Sequence, residues 1–218
     1  MGAEMRWSVL GDSISTFQGY SPPGGVYYAP SSGPVTGVSD VEDTWWMQVI
    51  RARGGVLLAN NSWSGSTVAE SGTLGAASLS RIRKLGPEGQ APDAVLIFTG
   101  LNDVGRYVPL ETFRADYEGM VRRVRELYPG ARVLCGTLVV GYIQRPLFPK
   151  LSYFGKRLEE YNEAIREAVR AGGGCLADLA ALGDPGGSYE SMDGLHPSGT
   201  GMKQVAELWL RCLDEAAP

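Results

Sequence analysis

Asp193 and His196 stand three residues apart in the stretch MDGLHPSGTG (192–201), and His196 is the only histidine in the 218 residues. That spacing lets a carboxylate reach the near ring nitrogen within one turn and leaves the far nitrogen free to take a proton. Gly194 lets the turn close, Pro197 biases His196 away from the α region, and Ser198 marks the start of a following helix. An imidazole held in this way is a general base, and the hydroxyl it could serve is Ser13 in GDSI (11–14). Acyl transfer further needs donors where negative charge develops on a carbonyl oxygen. The candidates are the Ser13 N–H, the Gly65 N–H in NNSWSGST (60–67) and the side-chain amide of Asn102 in GLND (100–103).

Each of these residues alone has a plainer use. Ser13 would serve as a turn or capping serine, Gly65 as a flexible joint, Asn102 and Asp103 as a strand-to-loop turn, and His196 as a surface or capping residue. Asp12 and Asp103 read as loop-ordering carboxylates that accept nearby backbone N–H groups. A divalent ion among Asp12, Asp103, Asp193 and His196 is a competing arrangement, but a single histidine rules out the usual two- or three-histidine set. A phosphate cradle fits less well, since GDSIST lacks the lysine of GxxxxGK[ST] and no GxGxxG opens a helix. Neither a metal nor an organic cofactor is expected.

These residues meet only if the elements around them bring them together. Alternating or continuous apolar runs predict strands at 5–10, 55–61, 93–100, 132–140 and 174–180. Helical faces recur between them: 43–53, a short one around Leu79, Ile82 and Leu85, Phe113 to Leu127, Leu158 to Val169, and a last one carrying Met202, Val205, Trp209 and Leu213. Strand followed by helix, repeated five times, predicts an α/β fold with a parallel sheet covered on both faces, in one domain spanning 1–218. Ligands of such sheets sit beyond the carboxyl ends of the strands, where strand order reverses. Gly11-Asp12-Ser13, NNSWSGST, GLND and, at some remove, Asp193 and His196 all follow strand ends.

The net charge of −4 is spread without basic runs, which argues against nucleic acid or an anionic membrane surface as partner and for a small or neutral molecule. No signal-peptide pattern opens the chain and no apolar run approaches membrane-spanning length, so a cytoplasmic location is expected. Cys135, Cys175 and Cys212 are far apart, in apolar segments and without CxxC spacing, and are expected to be buried free thiols. Two long loops leave the same edge of the sheet. The first (18–40) is rich in Gly, Pro and Ser, reads as a rim or lid, and carries Tyr20, Tyr27 and Tyr28; the second (141–155) carries Tyr142, Phe148, Tyr153 and Phe154. Trp63, Tyr27, Tyr28 and Tyr142 are the expected substrate rim, with faces on which a sugar could stack.

The four blocks GDSI (11–14), N-x-x-x-x-G-x-T (60–67), GLND (100–103) and DGLH (193–196) occur in the order that resembles the SGNH, or GDSL-type, esterases and lipases. The resemblance spans essentially the whole chain, with Ile14 where the family name has leucine and Ser66 where relatives carry aspartate. It implies a flavodoxin-like, three-layer α/β/α fold with strand order 2-1-3-4-5. It also implies Ser13 as nucleophile, Asp193 and His196 as the rest of a triad, and Ser13, Gly65 and Asn102 as the oxyanion hole. The expected activity is hydrolysis of a small carboxylic ester, with a short acyl group and an acylated sugar as the favoured substrate. An O-acyltransferase using the same triad and a flavodoxin-like binding module are the alternatives.

Overall fold

Five short apolar segments lie side by side as parallel strands: β1 (Arg6–Gly11), β2 (Val56–Asn60), β3 (Ala94–Phe98), β4 (Arg132–Gly136) and β5 (Cys175–Ala177), in the order β2-β1-β3-β4-β5. This computed structural model describes residues 4–71, 74–140, 151–183 and 189–215, with side chains between 151 and 172 from residue 158 onward. The helices are α1 (Gly33–Thr36), α2 (Trp45–Ala52), α3 (Leu79–Ile82), α4 (Leu101–Gly105), α5 (Leu110–Leu127), α6 (Leu151–Gly172) and α7 (Gly199–Glu215). Every residue of β3 is buried, because the central strand is covered on both faces and needs no polar side.

The helices pack in two pairs. Trp45 of α2 stacks on Trp209 of α7 with ring centres 5.2 Å apart and lies edge-on to Phe98 of β3 at 5.7 Å. Phe113 of α5 meets Tyr161 of α6 at 4.6 Å. Right-handed crossovers running in opposite directions from β1 put the two pairs on opposite faces of the sheet. Most of the expected helical faces are buried; Leu79 and Leu127 are exceptions, each 37% exposed.

The register sets the strand ends where the site will be built. Gly11 lies opposite Phe98, so β1 and β3 end level, while β2 ends at Asn60 opposite Val9, two residues short of them at the same edge. Strand order reverses there, between β1 and β3, which opens a crevice at the carboxyl edge.

Three expectations need correction. The apolar run 132–140 is strand only to Gly136; beyond it, Asn162 of α6 accepts the Leu138 N–H at 2.6 Å and donates to the Leu138 carbonyl at 2.9 Å. A side chain there replaces the neighbouring strand, so burial continues where the ladder stops. Likewise β5 ends at Ala177, where Asp178 accepts the Thr137 hydroxyl at 2.8 Å and the chain turns into a 3-10 helix at Leu179–Leu182. Finally, Cys175 and Cys212 are not free thiols: they are paired as a disulfide between β5 and α7, with Cα atoms 7.1 Å apart, just beyond the usual span of such a bridge. Both sit in packed segments that bring their sulfurs together, a contact that spacing along the chain could not reveal. Cys135 is buried and free.

Candidate active site

Strand β1 delivers Ser13 through a tight turn. Asp12 accepts the Ile14 N–H at 3.1 Å and so caps a 3-10 turn at Ser13–Ser15, while Thr16 bonds the Ser13 carbonyl through both its N–H and its hydroxyl. Asn60, at the end of β2, donates to the Ser15 carbonyl at 2.8 Å. The Ser13 hydroxyl is thus presented by a loop with little freedom, and the residue is only 9% exposed.

The loop after β2 folds onto the loop after β1. The Trp63 N–H and the Ser66 hydroxyl both donate to the Gly11 carbonyl, at 3.2 and 3.3 Å. Gly65 lies between them at φ +77°, in the left-handed region where a side chain would strain the backbone. From the third loop, Asn102 at the start of α4 donates one amide hydrogen to the Ser66 carbonyl at 2.9 Å, leaving the second hydrogen of the same nitrogen for another acceptor. Asp103 accepts the Val68 and Ala69 N–H groups at 2.7 and 3.0 Å. Three strand ends are therefore tied into one platform.

A buried guanidinium holds this platform from behind. Arg81, 5% exposed, donates to the carbonyls of Gly11 at 3.1 Å, Leu74 at 2.6 Å, and Asn61. Burial pulls its pKa down to about 10 against the charge of Asp12. Sequence reasoning missed this residue, which lies in the short predicted helix around Leu79, Ile82 and Leu85 with no motif to mark it. Asp12 and Asp103 are pushed up to about 6 by burial, against the N–H groups that they accept.

The fourth loop hangs from the start of α7. The Ser191–Pro197 pairing closes it, with the Met192 N–H on the His196 carbonyl at 2.9 Å, and Gly194 turns at φ +90°. Ser198 caps α7 by accepting the Gly201 N–H at 3.2 Å. One oxygen of Asp193 accepts the backbone N–H groups of Leu195 and His196 at 3.0 and 2.7 Å; the other lies 2.6 Å from Nδ1 of the imidazole. Burial opposes ionisation of Asp193, but the bonds from the His196 ring and the two N–H groups outweigh it and hold the pKa at about 2. An ionised carboxylate only accepts, so Nδ1 carries the proton and Nε2 is left as an acceptor. Ser13 Oγ lies 2.9 Å from Nε2, across 183 residues of chain.

Hydroxyl, imidazole and carboxylate in this line can move the serine proton onto the ring as the oxygen attacks. Among the described residues no group of three or more His, Cys, Asp or Glu side chains stands together as a metal site. The expected rim is corrected at Tyr28, which is fully buried and donates its hydroxyl to the Pro197 carbonyl at 2.8 Å. Trp63 and Tyr27 are half-buried beside the crevice; Tyr142 and Phe148 lie outside the described residues, as do the side chains of Tyr153 and Phe154.

A doubly wound five-stranded sheet with such a line at its carboxyl edge is an α/β architecture equipped for hydrolysis, and the comparisons narrow the class. The GDSL-like lipase/acylhydrolase family matches residues 9–204. The chain belongs to that family and is a hydrolase of ester substrates. Among solved structures it is similar to a Bacteroides ovatus protein called a GDSL-like lipase, at 25% identity and TM-score 0.74 over 99% of this chain and 100% of that one. A second such protein, from Bacteroides uniformis, is 26% identical with TM-score 0.71, covering 97% of this chain and 96% of the other. The lipase/acylhydrolase of Enterococcus faecalis shares the fold at 23% identity and TM-score 0.65, with coverages of 97% and 96%. No curated protein matches the chain. No helix among the described residues is long and apolar enough to cross a membrane.

Proposed function

We propose that the protein is a serine esterase that cleaves a small carboxylic ester through an acyl-enzyme on Ser13. The observation that carries this reading is the line from Ser13 Oγ to His196 Nε2 (2.9 Å) and from Nδ1 to Asp193 (2.6 Å). His196 takes the serine proton as Oγ attacks the ester carbonyl, then gives it to the departing alcohol; water repeats the sequence and frees the acid. Asp193 stays ionised throughout, fixing the tautomer and favouring the transient imidazolium. The N–H groups of Ser13 and Gly65 and the second amide hydrogen of Asn102 receive the oxyanion, each such donor being worth about 100- to 1,000-fold in kcat.

Short acyl groups and a sugar alcohol are the preferred substrate in this reading. Its support is the half-buried aromatic ring of Trp63, set beside the crevice where a flat sugar face can stack. Activated acetyl esters and acetylated sugars, varied in acyl length and leaving group, test it. Turnover is expected to fall at least about 1,000-fold in Ser13→Ala, with fluorophosphonate labelling of Ser13 only in the folded wild type. Full activity in Ser13→Ala would overturn the mechanism, and equal turnover across acyl lengths would overturn the substrate preference.

A further inference from the structure

Tyr27 is placed too closely against the imidazole to be only a rim residue. Its ring lies face to face with that of His196, with centres 3.7 Å apart and planes 6° from parallel. We propose that Tyr27 is a positioning residue for His196, a flat wall that holds the imidazole in the plane shared by Asp193 and Ser13. The inference rests on the reading of His196 as general base.

The physical need is clear from the bonds that His196 makes. The bond to Asp193 fixes one edge of the ring, but an imidazole anchored at Nδ1 can still swing about that edge, carrying Nε2 away from Ser13. An aromatic face at van der Waals distance blocks the swing on one side. It also presents its negative π-face to the ring at the moment that ring becomes a cation, which favours the transition state over the ground state. The charged and titratable groups around the imidazole are Asp193 and Ser13 in contact, Tyr27 on its face, and Asp12 behind the nucleophile turn. The Tyr27 phenol borders Asp193; burial first, then that carboxylate, raise the phenol above its ordinary pKa, so it stays neutral.

Tyr27 is itself held from three directions, as a positioning group must be. Its N–H donates at 2.9 Å to the Thr16 hydroxyl, which in turn donates to the Ser13 carbonyl at 2.8 Å. Tyr28 packs edge-on against it at 4.9 Å and is bonded to Pro197, the residue after His196. Two residues earlier, the Gly25 carbonyl accepts the Ser64 N–H at 2.8 Å, beside Gly65. Residues 25–28 thus touch the nucleophile turn, the second loop and the histidine loop at once. The 18–40 segment, at this stretch, acts as a clamp.

The test compares Tyr27→Ala, Tyr27→Leu and Tyr27→Phe with wild type and Ser13→Ala on an activated acetyl ester. The Ala and Leu variants are expected to lose about tenfold in kcat with KM nearly unchanged, and Phe, which keeps the face, to recover most of that loss. Because the protein has one histidine, its ring protons are read directly by NMR. They should move downfield in Ala and Leu, where the stacked ring is gone, and stay in place in Phe. If Ala does not fold, the Leu–Phe contrast carries the same information, since Leu fills the volume without an aromatic face. Wild-type kcat in Ala and Leu, a loss confined to KM, or Phe no better than Leu would overturn the positioning role while an inactive Ser13→Ala leaves the triad standing. An active Ser13→Ala would remove the triad itself and this inference with it.

Discussion

Two sets of carboxylates line the carboxyl edge of the sheet, and they are driven in opposite directions. Asp12 and Asp103 are buried beneath the loops of β1, β2 and β3 and accept only backbone N–H groups; burial dominates and their pKa rises to about 6. Asp193 lies on the more open histidine loop, with 23% of its side chain exposed, and accepts two N–H groups and an imidazole; those bonds dominate, and its pKa falls to about 2. The same side chain is an ordering strut in one place and a permanent charge in the other. Which it becomes depends on the balance of desolvation against donors.

The contrast can be broken most severely at Asp193. Asp193→Asn keeps the size but can present an amide N–H to Nδ1, which turns the tautomer the wrong way; kcat is expected to fall about 10,000-fold on the Ser13-dependent reaction. Asp103→Asn should behave differently. Val68 and Ala69 donate to different oxygens of Asp103, so the amide sets an NH2 against one of these N–H groups, and urea unfolding should show a loss of about 1–3 kcal/mol, with a much smaller fall in kcat than at Asp193. If Asp103→Asn were the more damaging to kcat, the division between strut and charge would be wrong.

Proton linkage separates the two sets more gently. For Asp12 the folded pKa of about 6 exceeds its ordinary 3.8, so the fold holds the proton more tightly than the unfolded chain, and this contribution declines as pH rises from about 4 through 6. Asp12→Asn, which cannot ionise, should therefore gain stability relative to wild type across that interval; a relative loss would reverse the assignment. Asp193 has the opposite sign: its contribution is present above about pH 4 and lost as pH falls through about 2. The smallest effect concerns the cysteines: the denatured, unreduced protein should expose one reactive thiol, Cys135, and three after reduction. Three before reduction would mean that the Cys175–Cys212 pair is open.

Much of this was legible in the chain. The strand–helix alternation follows from apolar periodicity, because a strand covered on both faces must be apolar throughout, as β3 is, whereas the sheet order came only from the family resemblance of the four ordered blocks. Strand ends were less legible. After Gly136 and Ala177, side chains from elsewhere, Asn162 and Thr137, take over the backbone or its neighbours, and an apolar run cannot tell a strand from a segment paired in that way. Tyr27 and Tyr28 looked alike in a Gly- and Pro-rich loop, yet Tyr28 is fully buried and Tyr27 lies on the imidazole.

By itself, then, the sequence determined which chemical groups exist and which strand ends they follow: one imidazole, a serine after β1, a carboxylate three residues before the histidine. These are local matters of composition, spacing and period. Only the tertiary structure decided that Nε2 and Oγ lie 2.9 Å apart across 183 residues, that Arg81 is buried behind the nucleophile turn, and that an aromatic ring stacks on the histidine. Such contacts join segments distant along the chain. Their energies depend on burial and orientation, which exist only once the whole chain has packed.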